Sequence, residues 1–169
     1  MWKPRTWTAV LFGILWVGAA LAGERLHNER NITMKSAMVA VRAAVDACKE
    51  KGWLVSATVV DRSGVVTAVA RADGAGPHTL DSSRRKAYTA ASLRLGTTKA
   101  EAIARNNPDA LSLRDIDGFL LLGGGLPIRR GGEVVGGIGV GGAPGGEKDD
   151  FCAGAGLSTI GAGKKAGGR

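Results

Sequence analysis

Apolar residues recur every three or four positions between Thr33 and Lys51, which predicts an amphipathic helix capped by Thr33 and ended by Gly52. The same spacing predicts helices over residues 79–95 and 98–105. A weaker helix is predicted over residues 147–160, because two glycines within it lower its helix propensity. The stripe of the first helix consists of Met34, Met38, Val41, Val45 and Cys48.

Runs rich in β-branched and apolar residues predict strands, and turn residues separate several of them. Asp61-Arg62-Ser63-Gly64 supplies one turn and Gly131-Gly132 another, so both flanking pairs of strands are expected to form hairpins. The order α-β-β-α-α-β-β-β-α indicates an α/β (α+β) fold, with helices packed on an antiparallel five-stranded sheet. The predicted strands cover residues 53–60, 65–71, 119–122, 126–129 and 133–140.

The N-terminal residues have the order of parts that is typical of a secretion signal. Lys3 and Arg5 precede an uncharged run over residues 6–22, which ends in the small-x-small pattern Ala20-Leu21-Ala22. Cleavage after Ala22 would give a periplasmic or secreted protein with no stable membrane insertion, whereas an uncleaved membrane anchor is the alternative. The remaining chain divides into a flexible lead (23–32), one domain (33–160) and a disordered basic tail (161–169).

The charge of the chain limits the class of partner. Its formal net charge is +8, and removal of Lys3 and Arg5 with no acidic residue leaves +6. This excess favours anionic ligands or surfaces. The basic residues are dispersed and no aromatic stacking series accompanies them, so no nucleic-acid partner is expected.

Two cysteines, Cys48 and Cys152, lie near the end of the first predicted helix and the start of the last. An exported chain permits a disulfide between them, and antiparallel packing of the two helices would bring them together. Two buried, unpaired thiols are an equally open alternative.

Two glycine-rich segments resemble nucleotide-binding loops only superficially. Residues 137–142 satisfy GxGxxG, but they lie in a predicted strand and no helix opens at them. We expect a strand whose glycines allow another backbone or a flat ligand to approach closely. Gly123-Gly124-Gly125 lacks the Lys-Ser/Thr of a phosphate loop and is interpreted as a turn that needs positive φ.

His78 is the one histidine within the predicted domain, in a glycine-proline loop before a helix. A single imidazole is able to ligate haem iron, although a solvated loop histidine is the plainer interpretation. The following helix carries four cations that either face carboxylates or form a solvated surface, namely Arg84, Arg85, Lys86 and Arg94.

Five segments in order give the chain a resemblance to the GlcG/HbpS-like family of haem-binding or haem-degrading proteins, which is related to the C-terminal domain of PduO-type proteins. The resemblance covers about residues 34–160. One departure is Gly141, which stands where the family usually has Ser. The segments are Val60–Gly64, Arg71–Ala75, Ser83–Ala90, Gly123–Ile128 and Val135–Gly142.

The resemblance implies a profilin-like five-stranded sheet, homo-oligomers and, in some members, haem as cofactor. The first hypothesis is therefore an exported haem-binding protein for storage, sensing or scavenging, with weak haem degradation and any enzyme activity left open. His78 would ligate the iron, with Thr79 or Tyr88 as further candidates, and Arg84, Arg85 or Lys86 would lie near the propionates. The rival is an accessory protein or enzyme acting on a small organic acid or aldehyde without haem. A structural oligomer that assists a partner enzyme is the third possibility.

Overall fold

A computed structural model describes residues 27–162. The predicted signal (1–22) and residues 163–169 of the predicted tail lie outside this part of the chain. In chain order the elements are α1 (Met34–Lys49), β1 (Ser56–Asp61), β2 (Val66–Arg71), α2 (His78–Leu93), α3 (Thr97–Asn106), a 3₁₀ helix (Pro108–Asp115), β3 (Gly125–Arg130), β4 (Glu133–Gly141) and α4 (Gly146–Thr159).

The sheet has the strand order β2-β1-β4-β3 with every neighbouring pair antiparallel, which confirms the predicted class. Both predicted turns form, since Gly64 and the pair Gly131-Gly132 adopt positive φ where the chain reverses. Thr33 caps α1 as predicted, because its side chain accepts a hydrogen bond from the backbone N–H of Ser36.

The described residues form four strands rather than the predicted five. The expected strand over residues 119–122 is an irregular segment that lies against α2. The backbone N–H of Leu120 donates to the Thr89 hydroxyl at 2.8 Å instead of to a neighbouring strand. Phe119 packs edge-on against the Tyr88 ring, with 5.9 Å between ring centroids. The apolar run is therefore buried by a helix, and no strand ladder forms there.

The sheet lies between two helical layers. Helices α1 and α4 pack on one face and α2 on the other. The main core lies under α1 and α4, where Val41, Val59 and Ile138 are fully buried. On the α2 face the apolar cluster is small and consists of Val60, Ala87 and Ala91.

The glycines of β4 allow the backbone of α2 to approach the sheet directly. A Cβ atom at Gly137 would lie 2.3 Å from the Ala87 carbonyl oxygen, and one at Gly139 would lie 2.1 Å from that of Ser83. Of the two predicted partners for these glycines, the neighbouring backbone is the one that the structure shows.

Helices α1 and α4 run antiparallel and are joined by a disulfide between Cys48 and Cys152, whose Cα atoms are 5.5 Å apart. Further along the pair, a Cβ atom at Gly156 would lie 2.5 Å from the Ala40 carbonyl oxygen. The two helices are therefore in backbone contact as well as covalently linked. The alternative of two unpaired thiols is wrong.

The boundaries of the predicted lead and tail need correction. The backbone N–H of Ile32 donates to the Val135 carbonyl oxygen at 2.9 Å, and that of Arg62 donates to the Asn31 side chain at 2.9 Å. At the other end Ala162 is buried and its N–H donates to the Leu157 carbonyl oxygen. Residues 31–32 and 161–162 thus belong to the packed domain. Between residues 27 and 162, no helix has the length and apolar character needed to cross a membrane.

Candidate functional site

Helix α2 begins at His78, directly after Gly76 and Pro77. Proline suits this position because its fixed φ matches a helix start. The imidazole is exposed and lies beside Gly76, where a Cβ atom would be 2.7 Å from its Cε1 atom. The glycine therefore leaves the space that the ring occupies.

Helical periodicity separates the predicted site residues into two groups. His78, Arg85 and Tyr88 are spaced seven and three residues apart, so they lie on one outer face of α2. His78 and Arg85 are two turns apart, about 10 Å along the helix axis. Thr79 and Lys86 are buried against the sheet on the opposite face.

The inner face of α2 is joined to β1 by two hydroxyl pairs. Thr79 and Ser56 share a hydrogen bond of 2.7 Å, and Ser83 and Thr58 share one of 2.8 Å. These buried hydroxyls satisfy one another. Thr79 therefore connects the helix to the sheet.

Lys86 is buried, and its ammonium group is occupied within the protein. Its Nζ atom lies 2.7 Å from Asp149 Oδ2 and donates to the Val140 carbonyl oxygen at 3.0 Å. Burial raises the pKa of the Asp149 carboxyl above its ordinary value, while the Lys86 ammonium acts in the opposite direction. Lys86 is thus held by the Asp149 carboxylate and faces away from the outer surface of α2.

The N-terminal end of α4, which carries Asp149, also holds the glycine turn before β3. Asp149 Oδ1 accepts from the Ala143 N–H at 3.0 Å, and Asp150 Oδ1 accepts from the Gly124 N–H at 2.8 Å. Gly124 has a φ of +116°, which confirms the predicted need for positive φ in this turn. A Cβ atom there would lie 2.6 Å from the Asp149 Cβ atom, so the turn packs directly on the buried ion pair.

Two arginines follow one another on α2 but contact different groups. Arg84 is exposed and forms an ion pair of 2.8 Å with Asp81. Arg85 is half-buried and donates to the Phe119 carbonyl oxygen. Adjacent helix residues do not face the same way, so these cations and Lys86 do not form one cluster.

Tyr88 lies one turn beyond Arg85 and is partly covered. Its ring lies against Gly64 and Gly118, where Cβ atoms would be 2.5 Å and 3.3 Å from ring carbons. The irregular segment 116–122 and the first hairpin turn therefore close over this end of the outer face.

A cavity of about 460 Å³ opens beside Arg85, between α2, α3, the 3₁₀ helix and residues 119–121. Apolar periodicity does not predict this cavity, because its walls combine Arg85 of α2 with three successive segments between residues 101 and 121. We call it the arginine cavity. It is lined by Arg85, Glu101, Ala104, Arg105, Leu111, Arg114, Phe119, Leu120 and Leu121.

Comparison with known proteins gives a consistent result. Residues 32–158 match the family described as haem degrading protein, HbpS-like. A double mutant of HbpS from Streptomyces reticuli is 38% identical, with a TM-score of 0.76 over 92% of this chain and 98% of that one. Protein GlcG of Escherichia coli K12 is 32% identical over 63% of this chain and 77% of its own length.

A haem complex of PduOC shares the fold, with a TM-score of 0.71 over 79% of this chain and 97% of that one, at 24% identity. The sequence match covers the domain from the strand contact of Ile32 to the last turn of α4. The chain therefore belongs to the HbpS-like family of haem-degrading proteins.

Proposed function

We propose that this chain is an exported protein that binds haem on the outer face of α2, with His78 as the iron ligand. Family membership supports a haem-related function. The haem site is assigned to the outer face of α2 because of the position of His78. Its imidazole is exposed at the first turn of α2, and Arg85 lies two turns along the same face.

The residues on this face fit the chemistry of haem. A neutral imidazole is a common axial ligand of haem iron, and a guanidinium pairs well with a carboxylate. Arg85 would bind a propionate, and Arg84 lies at the edge of the face in an exposed, exchangeable pair with Asp81. Bound haem would supply an iron centre, while the chain supplies its orientation.

The three other candidate residues differ in how far haem on the outer face could reach them. Thr79 and Lys86 are buried on the sheet side, so they are not among the proposed haem-binding residues. Tyr88 is on the correct face but is half-buried beneath the first hairpin turn, so it remains the second candidate for a ligand.

Export to the periplasm or the medium is part of the proposal. It is supported by the Cys48–Cys152 disulfide, since such bonds persist mainly in oxidising compartments. Assembly into a homo-oligomer is also proposed, and light scattering of the purified protein tests it. Its support is that the outer strand β2 presents Val66 and Val69 to solvent.

Hemin titration of the purified protein, followed in the Soret band, tests the proposed ligand. His78→Ala should shift the band and weaken binding, because the iron loses its axial nitrogen. Arg85→Gln should weaken binding but keep the band position, since it removes a charge partner only. His27→Ala is the matched control, as His27 is the chain's other histidine and is also exposed. An unchanged spectrum and affinity in His78→Ala would reject the assignment.

A further inference from the structure

We infer that the arginine cavity is a binding site for a small monocarboxylate with an apolar body. The inference shares Arg85 with the haem proposal. It does not depend on that proposal, because the other walls are different residues, the principal donor is Arg114 and no metal is required. It rests on the charge, the apolar lining and the size of the cavity.

The charge of the lining favours an anion. The lining holds one acidic residue, Glu101, and three arginines, namely Arg85, Arg105 and Arg114. Glu101 forms an ion pair with Arg105 one turn along α3, so two guanidinium charges remain uncompensated by the lining. A carboxylate between arginines gains charge-assisted hydrogen bonds, whereas an ammonium group would be repelled.

The arginines differ in how far their donors are already used. Arg114 donates through Nε to the Leu111 carbonyl oxygen at 3.1 Å, within its own 3₁₀ helix. Among the described residues this is its one hydrogen bond, so both terminal nitrogens of its guanidinium are available to a ligand. Arg85 uses one terminal nitrogen on the Phe119 carbonyl oxygen. Arg114 is therefore the principal donor that we assign to the carboxylate.

The rest of the lining is apolar. Ala104 is buried in α3, and Phe119 is 6% exposed behind the cavity. Leu111, which is 42% exposed, also lines the cavity. These side chains offer an apolar surface to the body of a ligand whose carboxylate meets the arginines, with Leu120 and Leu121 completing the wall.

The size and the donor set define the class of ligand. A cavity of about 460 Å³ falls within the range of roughly 300–1,000 Å³ usual for small-molecule sites. Its lining holds no His, Cys, Met or Tyr side chain. The ligand is thus recognised by charge and apolar contact, without a metal bond.

Calorimetric titration of the full-length protein with four probes tests the inference. Octanoate should bind, and octylamine should not, because only its charge differs in sign. Octanol and acetate should each bind at least about tenfold more weakly, since one lacks the charge and the other the apolar body. Octylamine binding as tightly as octanoate would overturn the inference.

Variants then assign the site. Arg114→Gln and Arg105→Gln should each weaken octanoate binding about tenfold, and both positions are exposed, so folding should be retained. Arg42→Gln is the matched control, since Arg42 is an exposed, ion-paired arginine on α1 in the opposite layer. His78→Ala should leave octanoate binding unchanged even if it abolishes haem binding. Loss of octanoate binding in His78→Ala, or its retention in both cavity variants, would overturn the inference.

Discussion

The ammonium nitrogen of Lys86 lies 2.7 Å from a carboxylate oxygen of Asp149, between the inner face of α2 and the first turn of α4. The two side chains are 2% and 4% exposed, so water contributes almost nothing to their solvation. The pair joins helices on opposite faces of the sheet through the end of β4, where Lys86 also binds the Val140 carbonyl oxygen. Each charge is tolerated in the interior because the other is present.

Removing one partner should therefore be costly. Asp149→Asn should lower the free energy of unfolding by about 3–5 kcal/mol, because it leaves a buried ammonium without its counter-charge. The double variant Lys86→Met with Asp149→Leu should recover much of this loss. Urea denaturation gives the values. Arg84→Gln in the exposed pair with Asp81 is the control and should cost less than about 1 kcal/mol. Equal losses in Arg84→Gln and Asp149→Asn would contradict the prediction.

Two glycine-to-alanine changes should have opposite signs. Gly139→Ala should destabilise the domain by about 1–3 kcal/mol or more, because the new methyl group would enter the backbone of α2. Gly154→Ala should stabilise it by about 0.5–1 kcal/mol, since α4 has open space at that position and alanine favours a helix. Thermal melts of both variants provide the comparison. A neutral Gly139→Ala would mean that α2 does not pack on β4 as described.

The disulfide should contribute substantially to stability. It joins residues separated by 104 positions, and the chain-entropy model gives a loss of about 4–5 kcal/mol for a loop of this length. Cys48→Ala with Cys152→Ala should therefore lower the denaturation midpoint relative to the oxidised protein. Alkylation of unfolded, unreduced protein followed by mass analysis provides a direct check. Two modified thiols per chain would show that the bond does not form.

The predicted signal should be removed during export. Protein from its native host should begin at Gly23, because Ala20 and Ala22 present the small side chains that the cleavage pattern requires. Replacing both alanines with leucine should retain the segment. Intact-mass measurement distinguishes the forms, and an intact Met1 in the soluble wild-type protein would refute the prediction.

Local spacing was sufficient to predict most of the elements. The stripe of α1 and the glycine turns at Gly64 and Gly131-Gly132 depend on neighbouring residues alone. The prediction of a strand over residues 119–122 was wrong, because a short apolar run does not specify whether a strand or a helix will bury it. Phe119 meets the Tyr88 ring, and Leu120 meets the Thr89 hydroxyl, so α2 takes the place of a neighbouring strand.

The candidate site was harder to predict, because it depends on which way each residue of α2 faces. Lys86 shares the buried face of Ser83 and Ala90, and that register could have identified it as an interior residue. Its partner Asp149 lies 63 positions away, and no local pattern joins the two. The arginine cavity depends on a 3₁₀ helix that apolar periodicity does not reveal.

The Cys48–Cys152 bond closes a covalent ring that contains α2, α3 and the four strands found between residues 27 and 162. A protease that cuts once within the ring opens it without releasing a fragment. The exposed 3₁₀ helix Pro108–Asp115 lies inside this ring and is an accessible place for such a cut. The nicked protein would migrate as one chain without reductant and as two with it. A single proteolytic cut at this surface would thus leave the two fragments covalently joined for as long as the surroundings remain oxidising.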